Sequence, residues 1–277
     1  MNVTTALKYN FETGIYRPPS EGGSHSLLIR VTRNCPWNRC EFCSMYKGEK
    51  FELRTPEEVK ADIDSIAAIC KGLKSISRQL GYNGGMNRNV AVALLERQPE
   101  LNTSPGFVMV YDWLSSGGKT AFLQDANSLI LPTQKLVDIL KHLRQTFPFL
   151  NRVTSYARSR TLAQRKLEEL TAIRKAGLDR LHVGLESGDD VLLKRIKKGV
   201  ISEGHISGGR KAMAAGFQLS EYWMPGLGGK EMWEGHAKNT ARVLSAINPD
   251  YIRSRPFFPS PGSPLFEAHN RGEFQLL

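Results

Sequence analysis

Three of the four cysteines, Cys35, Cys40 and Cys43, fall in the segment NCPWNRCEFCSMYK at 34–47 with the spacing C-x4-C-x2-C. Thiolates bind zinc and iron–sulfur clusters, and clustered thiols in a protein that is not exported indicate a metal or redox site rather than disulfides. The first residues, MNVTTALKYNFETG, lack the apolar stretch of a secretory signal, so we expect a cytoplasmic protein. The segment 34–47, called the cysteine loop below, is therefore the first candidate for chemistry.

The spacing of the cysteine loop allows three kinds of metal site. A structural zinc ion prefers four ligands in two pairs, but the sequence has no second C-x2-C, and His25 is the nearest histidine. The same spacing opens a plant-type [2Fe–2S] site, in which Cys70 would be the fourth ligand of an iron–sulfur electron-transfer protein. A [4Fe–4S] cluster held by three thiolates would instead leave one iron open to a substrate or cofactor.

Cys70 also fits a role in the core. Ile63, Ile66, Cys70 and Leu73 recur at the spacing of one helical face, so we expect a buried stripe in which Cys70 behaves as a small apolar residue. A small electron carrier also has no need of a basic α/β chain of 277 residues. Both observations favour the open cluster, and the Cys70-ligated centre remains the alternative.

Six β-rich runs alternate with helical patterns along the chain. The runs are SLLIRVT (26–32), TAFLQ (120–124), RVTSY (152–156), RLHVGL (180–185), FQLSEYW (217–223) and DYIRSRP (250–256). Alternation with right-handed crossovers predicts a parallel sheet, which is either doubly wound or an open (βα)6 barrel. Both folds place sites at the carboxyl ends of the strands, and the cysteine loop follows the first strand.

The sequence also predicts where several helices begin and end. Thr55 and Glu58 form the pattern of a capping box at the start of the first helix. Gly177 and Gly199 are suited to the left-handed position that ends a helix, and Ser202 is the expected cap of the helix that follows.

The first strand–helix unit is much longer than the later ones, which predicts an insertion. We expect a helical insertion at 71–119, lying between the first helix and the second strand. The predicted division is an N-terminal extension at 1–25, a core at 26–265 that contains the insertion, and a C-terminal tail at 266–277.

The cysteine loop resembles the cluster motif of the radical S-adenosylmethionine (radical SAM) superfamily. The commonest spacing there is C-x3-C-x2-C; this chain has one residue more, within PWNR, and carries the usual aromatic residue, Phe42, before the last cysteine. The resemblance implies an α/β fold, a partial (βα)6 TIM-like barrel of parallel strands with an insertion between the first helix and the second strand. It also implies that Phe42 contacts the adenine.

The ends of strands two and three extend the resemblance, which covers about 26–70 and 120–265. After strand two, FLQDANSLILP has Asp125 and Asn127 where the superfamily often carries a G-G-E type motif that holds the methionine amino group. The usual glutamate is missing, and the resemblance puts Asp125 and Asn127 in its place. After strand three, TSYARSR supplies Arg158, which would neutralise the SAM carboxylate.

The ends of the last three strands match as well. HVGLESGDDVLLKRIKKG is similar to a segment of the oxygen-independent coproporphyrinogen oxidases and relatives, which implies a ribose contact from Glu186 and a carboxylate partner in Lys198. YWMPGLGG resembles the segment that binds adenine through its backbone, with Met224 and Gly226 at the bend. FFPSPGSPLF resembles the terminal loop of the superfamily.

The resemblance implies a specific reaction. Cys35, Cys40 and Cys43 would bind three irons of a [4Fe–4S] cluster, and S-adenosyl-L-methionine would chelate the fourth through its amino and carboxylate groups. One electron, from a donor such as flavodoxin or ferredoxin, would cleave the sulfonium C–S bond, and the resulting 5′-deoxyadenosyl radical would abstract hydrogen from an unidentified substrate. That substrate is a small molecule or RNA, since some members of the superfamily modify tRNA.

Composition adds two expectations. The formal net charge of +11 gives a basic surface that can attract RNA or phosphate-bearing substrates, although the charges are dispersed along the chain. The sequence has no run of about 18 apolar residues, so we expect no membrane span.

Overall fold

The computed structural model describes residues 9–15 and 25–277. Its strands are β1 (Leu27–Arg30), β2 (Thr32–Arg33), β3 (Glu52–Leu53), β4 (Thr120–Gln124), β5 (Arg152–Ala157), β6 (Arg180–Glu186), β7 (Gln218–Trp223) and β8 (Tyr251–Ser254). Its α-helices are α1 (Pro56–Gln79), α2 (Arg88–Arg97), α3 (Pro105–Ser115), α4 (Thr133–Thr146), α5 (Ser159–Gln164), α6 (Leu167–Lys175), α7 (Asp190–Arg195), α8 (Ser202–Ala214), α9 (Gly229–Ile247) and α10 (Pro264–Asn270). Short 3₁₀ helices cover Pro99–Thr103 and Ser128–Ile130.

The main sheet has six strands in the order β1-β4-β5-β6-β7-β8, and every neighbouring pair is parallel. Strands therefore follow one another around the sheet in chain order, whereas a doubly wound sheet reverses its order at a switch point. The strand order thus favours the open barrel and confirms the predicted α/β fold class. The antiparallel pair β2–β3 brackets the cysteine loop.

The barrel wall and the surrounding helices share one apolar core. Its strands are largely buried, and β6 contributes Leu181, Val183 and Leu185 to this core, in alternation with His182 and Gly184. A second apolar cluster lies under the cysteine loop and includes Phe257 and Phe274 from the C-terminal segment. Phe42 and Met224 pack against this second cluster, so the end of the chain supports the loop near its beginning.

Two of the predicted helix ends are confirmed. Thr55 caps α1 and forms the reciprocal capping box with Glu58. Gly177 follows the C-cap of α6 with φ of +115°, a conformation that favours glycine.

Two others are wrong. α7 ends before Gly199, and Lys197 takes the left-handed position after its C-cap with φ of +51°. The C-cap residue Ile196 is buried in the second cluster, which fixes where this helix stops. Ser202 begins α8 without capping it, because its side chain binds Asp190.

The long first unit contains α2 and α3 between α1 and β4. Trp113 of α3 is almost fully buried and donates from Nε1 to the carbonyl of Thr120 at 2.9 Å, which ties this region to the start of β4. The division of the chain at 1–25, 26–265 and 266–277 stays a prediction. Across residues 9–15 and 25–277, no helix combines the length and hydrophobicity that crossing a bilayer requires.

Candidate functional site

The cysteine loop begins where β1 and β4 end, and Asp125 anchors it there. The Asp125 carboxylate is buried and accepts from the backbone N–H of Asn34 at 2.9 Å and from Arg30 Nε at 3.0 Å. Tyr46, near the other end of the loop, donates its hydroxyl to the same carboxylate at 3.3 Å. One side chain after the second barrel strand therefore holds both ends of the loop.

The three thiols of the loop are free and partly buried. Burial raises the pKa of Cys40 and of Cys43, and the charges of Lys198 and Arg158 act in the opposite direction on Cys40. Cys43 adds to the rise for Cys40, and Cys35 adds to the rise for Cys43, so the three sulfur atoms share one electrostatic environment. Neighbouring cations stabilise thiolates, the form that binds metals.

Glu186 and Lys198 form an ion pair beside these thiols. Lys198 Nζ lies 3.0 Å from Glu186 Oε1, with side-chain exposures of only 10% and 14%. Glu186 follows a bulge in β6 and has φ of +64°, in the left-handed region that non-glycine residues rarely occupy. Gly184 makes room for its carboxylate, because a Cβ at that position would overlap Glu186 Oε1.

Phe42 and Met224, which are far apart in sequence, both lie next to the Glu186–Lys198 ion pair. The ring centroid of Phe42 lies 5.7 Å from Lys198 Nζ. The backbone N–H of Met224 donates to the carbonyl of Glu186 at 3.1 Å, and His236 Nε2 lies 2.9 Å from the Met224 carbonyl. Gly226 follows at the bend with φ of +85°.

Asn127 and Arg158 complete a chain of contacts toward Lys198. The Asn127 side-chain oxygen accepts from the backbone N–H of Arg158 at 3.2 Å, and its amide donates to Thr161 at 2.9 Å. Arg158 Nη2 donates to the Lys198 carbonyl at 2.6 Å. The structure thus brings Phe42, Arg158, Glu186, Lys198 and Met224 together around the thiols, whereas the side chains of Asp125 and Asn127 are engaged with the protein.

The donor set fits an iron–sulfur cluster. Within the described ranges 9–15 and 25–277, no three His, Cys, Asp or Glu side chains converge closely enough for one metal ion. A cluster with several irons takes one thiolate per iron, so its cysteines can stand apart. Cys35, Cys40 and Cys43 are three soft donors next to cations, which suits a negatively charged cluster.

Cys70 belongs to the core, as predicted. It lies on α1, is 5% exposed and packs in the main apolar cluster. Burial raises its pKa to about 12, and the one charged side chain that acts on this pKa is Lys74 rather than any group of the cysteine loop. The alternative of a centre completed by Cys70 therefore has no support from its position.

Sequence reasoning missed the residues that hold the loop. Arg30 bridges Asp125 and Glu12, and Trp37 Nε1 donates to the Lys197 carbonyl at 2.7 Å. Arg30 could have been predicted as a site residue, because it is a charged residue at the end of the apolar run SLLIR. The backbone N–H of Leu265 donates to the carbonyl of Glu41 at 2.9 Å. No sequence pattern near either residue predicts this hydrogen bond.

The buried histidine His205 should make the stability of the protein depend on pH. Its ring is fully buried, with Nδ1 2.7 Å from Ser159 Oγ, and burial lowers its pKa to about 3. In the unfolded state a histidine has a pKa near 6.5. Below about pH 6.5 the unfolded state therefore binds a proton at this side chain, whereas the folded state does not. Between about pH 7.5 and pH 5 this group should lower the free energy of unfolding by about 2 kcal/mol.

Denaturant unfolding of His205→Gln at both pH values checks this. The variant should lose less stability than the wild type on acidification, whereas His25→Gln, at an exposed position ahead of β1, is the control that should leave the loss unchanged. Equal losses in His205→Gln and the wild type would remove His205 as the cause.

Comparisons with known proteins support the fold. No protein-family model matches the chain, and no curated protein matches its sequence. Among solved structures, the cobalamin-dependent S-adenosylmethionine radical enzyme OxsB, with aqua-cobalamin and S-adenosylmethionine bound, is 17% identical with a TM-score of 0.59; the match covers 90% of this chain and 35% of OxsB. Methylornithine synthase (PylB) is 18% identical with a TM-score of 0.51, over 87% of this chain and 55% of PylB.

The chain therefore has the barrel fold found in S-adenosylmethionine radical enzymes. It spans between about a third and about half of the length of the structures it matches. At these identities the likeness concerns the fold alone.

Proposed function

We propose that this chain is a radical SAM enzyme that binds a [4Fe–4S] cluster through Cys35, Cys40 and Cys43. The observation that carries the proposal is the position of three free thiols in the loop that follows the first strand of an open parallel barrel, where Lys198 and Arg158 contact the loop residues Phe42 and Trp37. Three thiolates leave one iron without a protein ligand, which is the position that a cofactor can take. The presence of S-adenosylmethionine in OxsB, on the same fold, supports the choice of cofactor.

When bound, the cluster supplies the electron that reductively cleaves the sulfonium of S-adenosylmethionine, and the protein supplies position and exclusion of water. Lys198 and Arg158 would face the carboxylate of the cofactor, since their positive charges already converge on the thiols. Glu186 would accept from the ribose hydroxyls while it orients Lys198. Phe42, Met224 and the bend at Gly226 would form the adenine site.

Asp125 and Asn127 have a further role in this proposal. Their contact with the methionine amino group stays a prediction, and both side chains also support the site from behind. Asp125 holds the loop through Asn34, and Asn127 holds the backbone of Arg158. Loss of either should therefore disturb the geometry of the thiols or of Arg158.

The reaction also needs an electron donor and a substrate. A donor such as flavodoxin or ferredoxin, acting in the cytoplasm, would reduce the cluster. The substrate is a small molecule or RNA; the net charge of +11 is compatible with an anionic substrate of either kind. An enzyme that modifies tRNA is the second candidate, and it shares the same cluster chemistry.

Anaerobic reconstitution tests the proposal. The chain should take up about four irons, and addition of dithionite and S-adenosylmethionine should release 5′-deoxyadenosine. Iron and 5′-deoxyadenosine are measured by colorimetric assay and by chromatography. A reconstituted, reduced chain that leaves S-adenosylmethionine intact would contradict the proposal, as would a centre with four protein ligands by spectroscopy.

A further inference from the structure

A groove of about 750 Å³ opens on the outer flank of the cysteine loop. Residues of the loop form one wall, and α5, α7 and the start of α8 form the others. The residues that carry the argument are Trp37, Arg39, Arg160, Leu193, Lys194 and Ile201. We call this feature the flank groove.

The rim of the flank groove is basic. Arg39, Arg160 and Lys194 are exposed, and no ion pair joins any of them to another residue in the part of the chain that the structure describes. Asp190 is the carboxylate in the lining, and it already accepts from the backbone N–H and the hydroxyl of Ser202. The rim therefore presents positive charge that the described residues leave uncompensated.

Cations also crowd around Trp37 in the wall of the groove. The guanidinium carbons of Arg39, Arg158 and Arg160 lie 5.3, 5.0 and 5.8 Å from the centre of its ring. Like charges gathered on one aromatic ring repel one another, and an anionic surface over the groove would relieve that repulsion.

The floor of the flank groove is apolar. Leu193 lines it, and Ile201 at its edge is 60% exposed. Gly199 lets the backbone approach the Trp37 ring, because a Cβ there would overlap the ring. An apolar centre with a charged rim is typical of protein interfaces, whereas nucleic-acid interfaces are more polar and more uniformly charged.

The lining of the flank groove does not include the aromatic residues of the barrel strands. Tyr156, His182 and Tyr222 form edge contacts across neighbouring strands of the barrel, with centroid distances of 6.0 and 5.9 Å. None of the three lines the groove. A molecule seated there would touch Trp37 and Arg39 of the cysteine loop, next to Cys35 and Cys40 in sequence, and would not need to contact these three aromatic residues.

We infer that the flank groove is the docking surface for an acidic protein that delivers the electron to the cluster. This inference rests on the proposed function. In this electron transfer, the donor protein loses one electron and the oxidised cluster gains it, with no bond made or broken. Such encounters use small interfaces and electrostatic steering, which the basic rim and the open shape of the groove provide.

The test compares two double charge reversals in the reconstituted chain. Arg160→Glu with Lys194→Glu reverses the charge of the rim and replaces neither a thiol nor a residue assigned to the cofactor. The matched control is Lys141→Glu with Lys175→Glu, two exposed positions on α4 and α6 that lie outside the flank groove. Reduced flavodoxin is the probe, and loss of the cluster's visible absorbance in stopped flow gives the rate of electron transfer.

At low salt the rim variant should be reduced by flavodoxin about tenfold or more slowly than the wild type, and its rate should depend less on salt. Its affinity for oxidised flavodoxin, measured by sedimentation, should fall in parallel. Reduction by dithionite should stay within about twofold, since a small reductant needs no docking surface. The control variant should behave as the wild type in all three measurements.

Unchanged reduction by flavodoxin in the rim variant would overturn the inference. So would a rim variant that loses binding to tRNA in a filter assay while it keeps the flavodoxin rate, because the groove would then bind RNA. The proposed function has its own readout: if dithionite reduces the cluster and S-adenosylmethionine stays intact, that proposal fails while the docking measurement still stands.

Discussion

Cys40→Ala should lower the iron content of the reconstituted chain below about one tenth of the wild-type value and remove cleavage of S-adenosylmethionine. Cys40 is one of only three thiols in the loop, so its loss leaves two protein ligands for the cluster. The side chain is partly buried and outside the main apolar cluster, and we expect the free energy of unfolding of the cluster-free chain to change by less than about 1 kcal/mol. Iron analysis, the 5′-deoxyadenosine assay and denaturant unfolding check the three effects.

Cys70→Ala is the matched control. It should keep both iron and cleavage, while it loses about 1–2 kcal/mol of stability because it removes a sulfur atom from a packed position on α1. The reverse pattern, with iron lost from Cys70→Ala and kept in Cys40→Ala, would restore the electron-transfer alternative with Cys70 as a ligand.

Lys198→Met should have the second large effect, on both stability and cofactor affinity. Removing the ammonium group leaves the Glu186 carboxylate, which is 14% exposed, without its partner. Breaking one side of a buried ion pair costs about 3 kcal/mol, so the free energy of unfolding should fall by that order. If Lys198 binds the cofactor as proposed, the affinity for S-adenosylmethionine should fall about tenfold or more, because the carboxylate of the cofactor would lose a charge partner.

The double variant Glu186→Gln, Lys198→Met separates the two effects. Replacing both charges removes the unpaired carboxylate, so most of the lost stability should return, whereas the affinity for S-adenosylmethionine should stay low. Denaturant unfolding gives the stabilities, and calorimetry on the reconstituted chain gives the affinities. Full recovery of affinity in the double variant would mean that Lys198 serves the fold and not the cofactor.

The strand segments could be predicted from the sequence because short β-rich runs alternate with helical patterns. The runs predicted at 120–124 and 152–156 differ from β4 and β5 by at most one residue. The order of the strands was not readable, because period and spacing are the same in a barrel and in a doubly wound sheet. The observed order of strands in the sheet, which follows chain order, distinguishes the two folds.

Part of the candidate site could likewise be predicted from the sequence, and part could not. The spacing of Cys35, Cys40 and Cys43 is local and could be read directly, whereas the support of the loop is not local. Asp125 lies 91 residues from Asn34, which it binds. The ion pair of Glu186 goes with a left-handed backbone at the last residue of β6, and no residue type in G-L-E-S-G predicts that conformation.

The dependence of the cysteine loop on the end of the chain has a consequence for biogenesis. The carbonyl of Glu41 is paired only when Leu265 is in place, and the hydroxyls of Ser44 and Ser260 lie 3.2 Å apart. During synthesis the loop emerges from the ribosome long before these supports do, at rates of about 5–20 residues per second. Under the proposed function, iron and sulfide would therefore enter a fully supported loop only after Leu265 has been synthesised, and the thiols would need protection from oxidation until then.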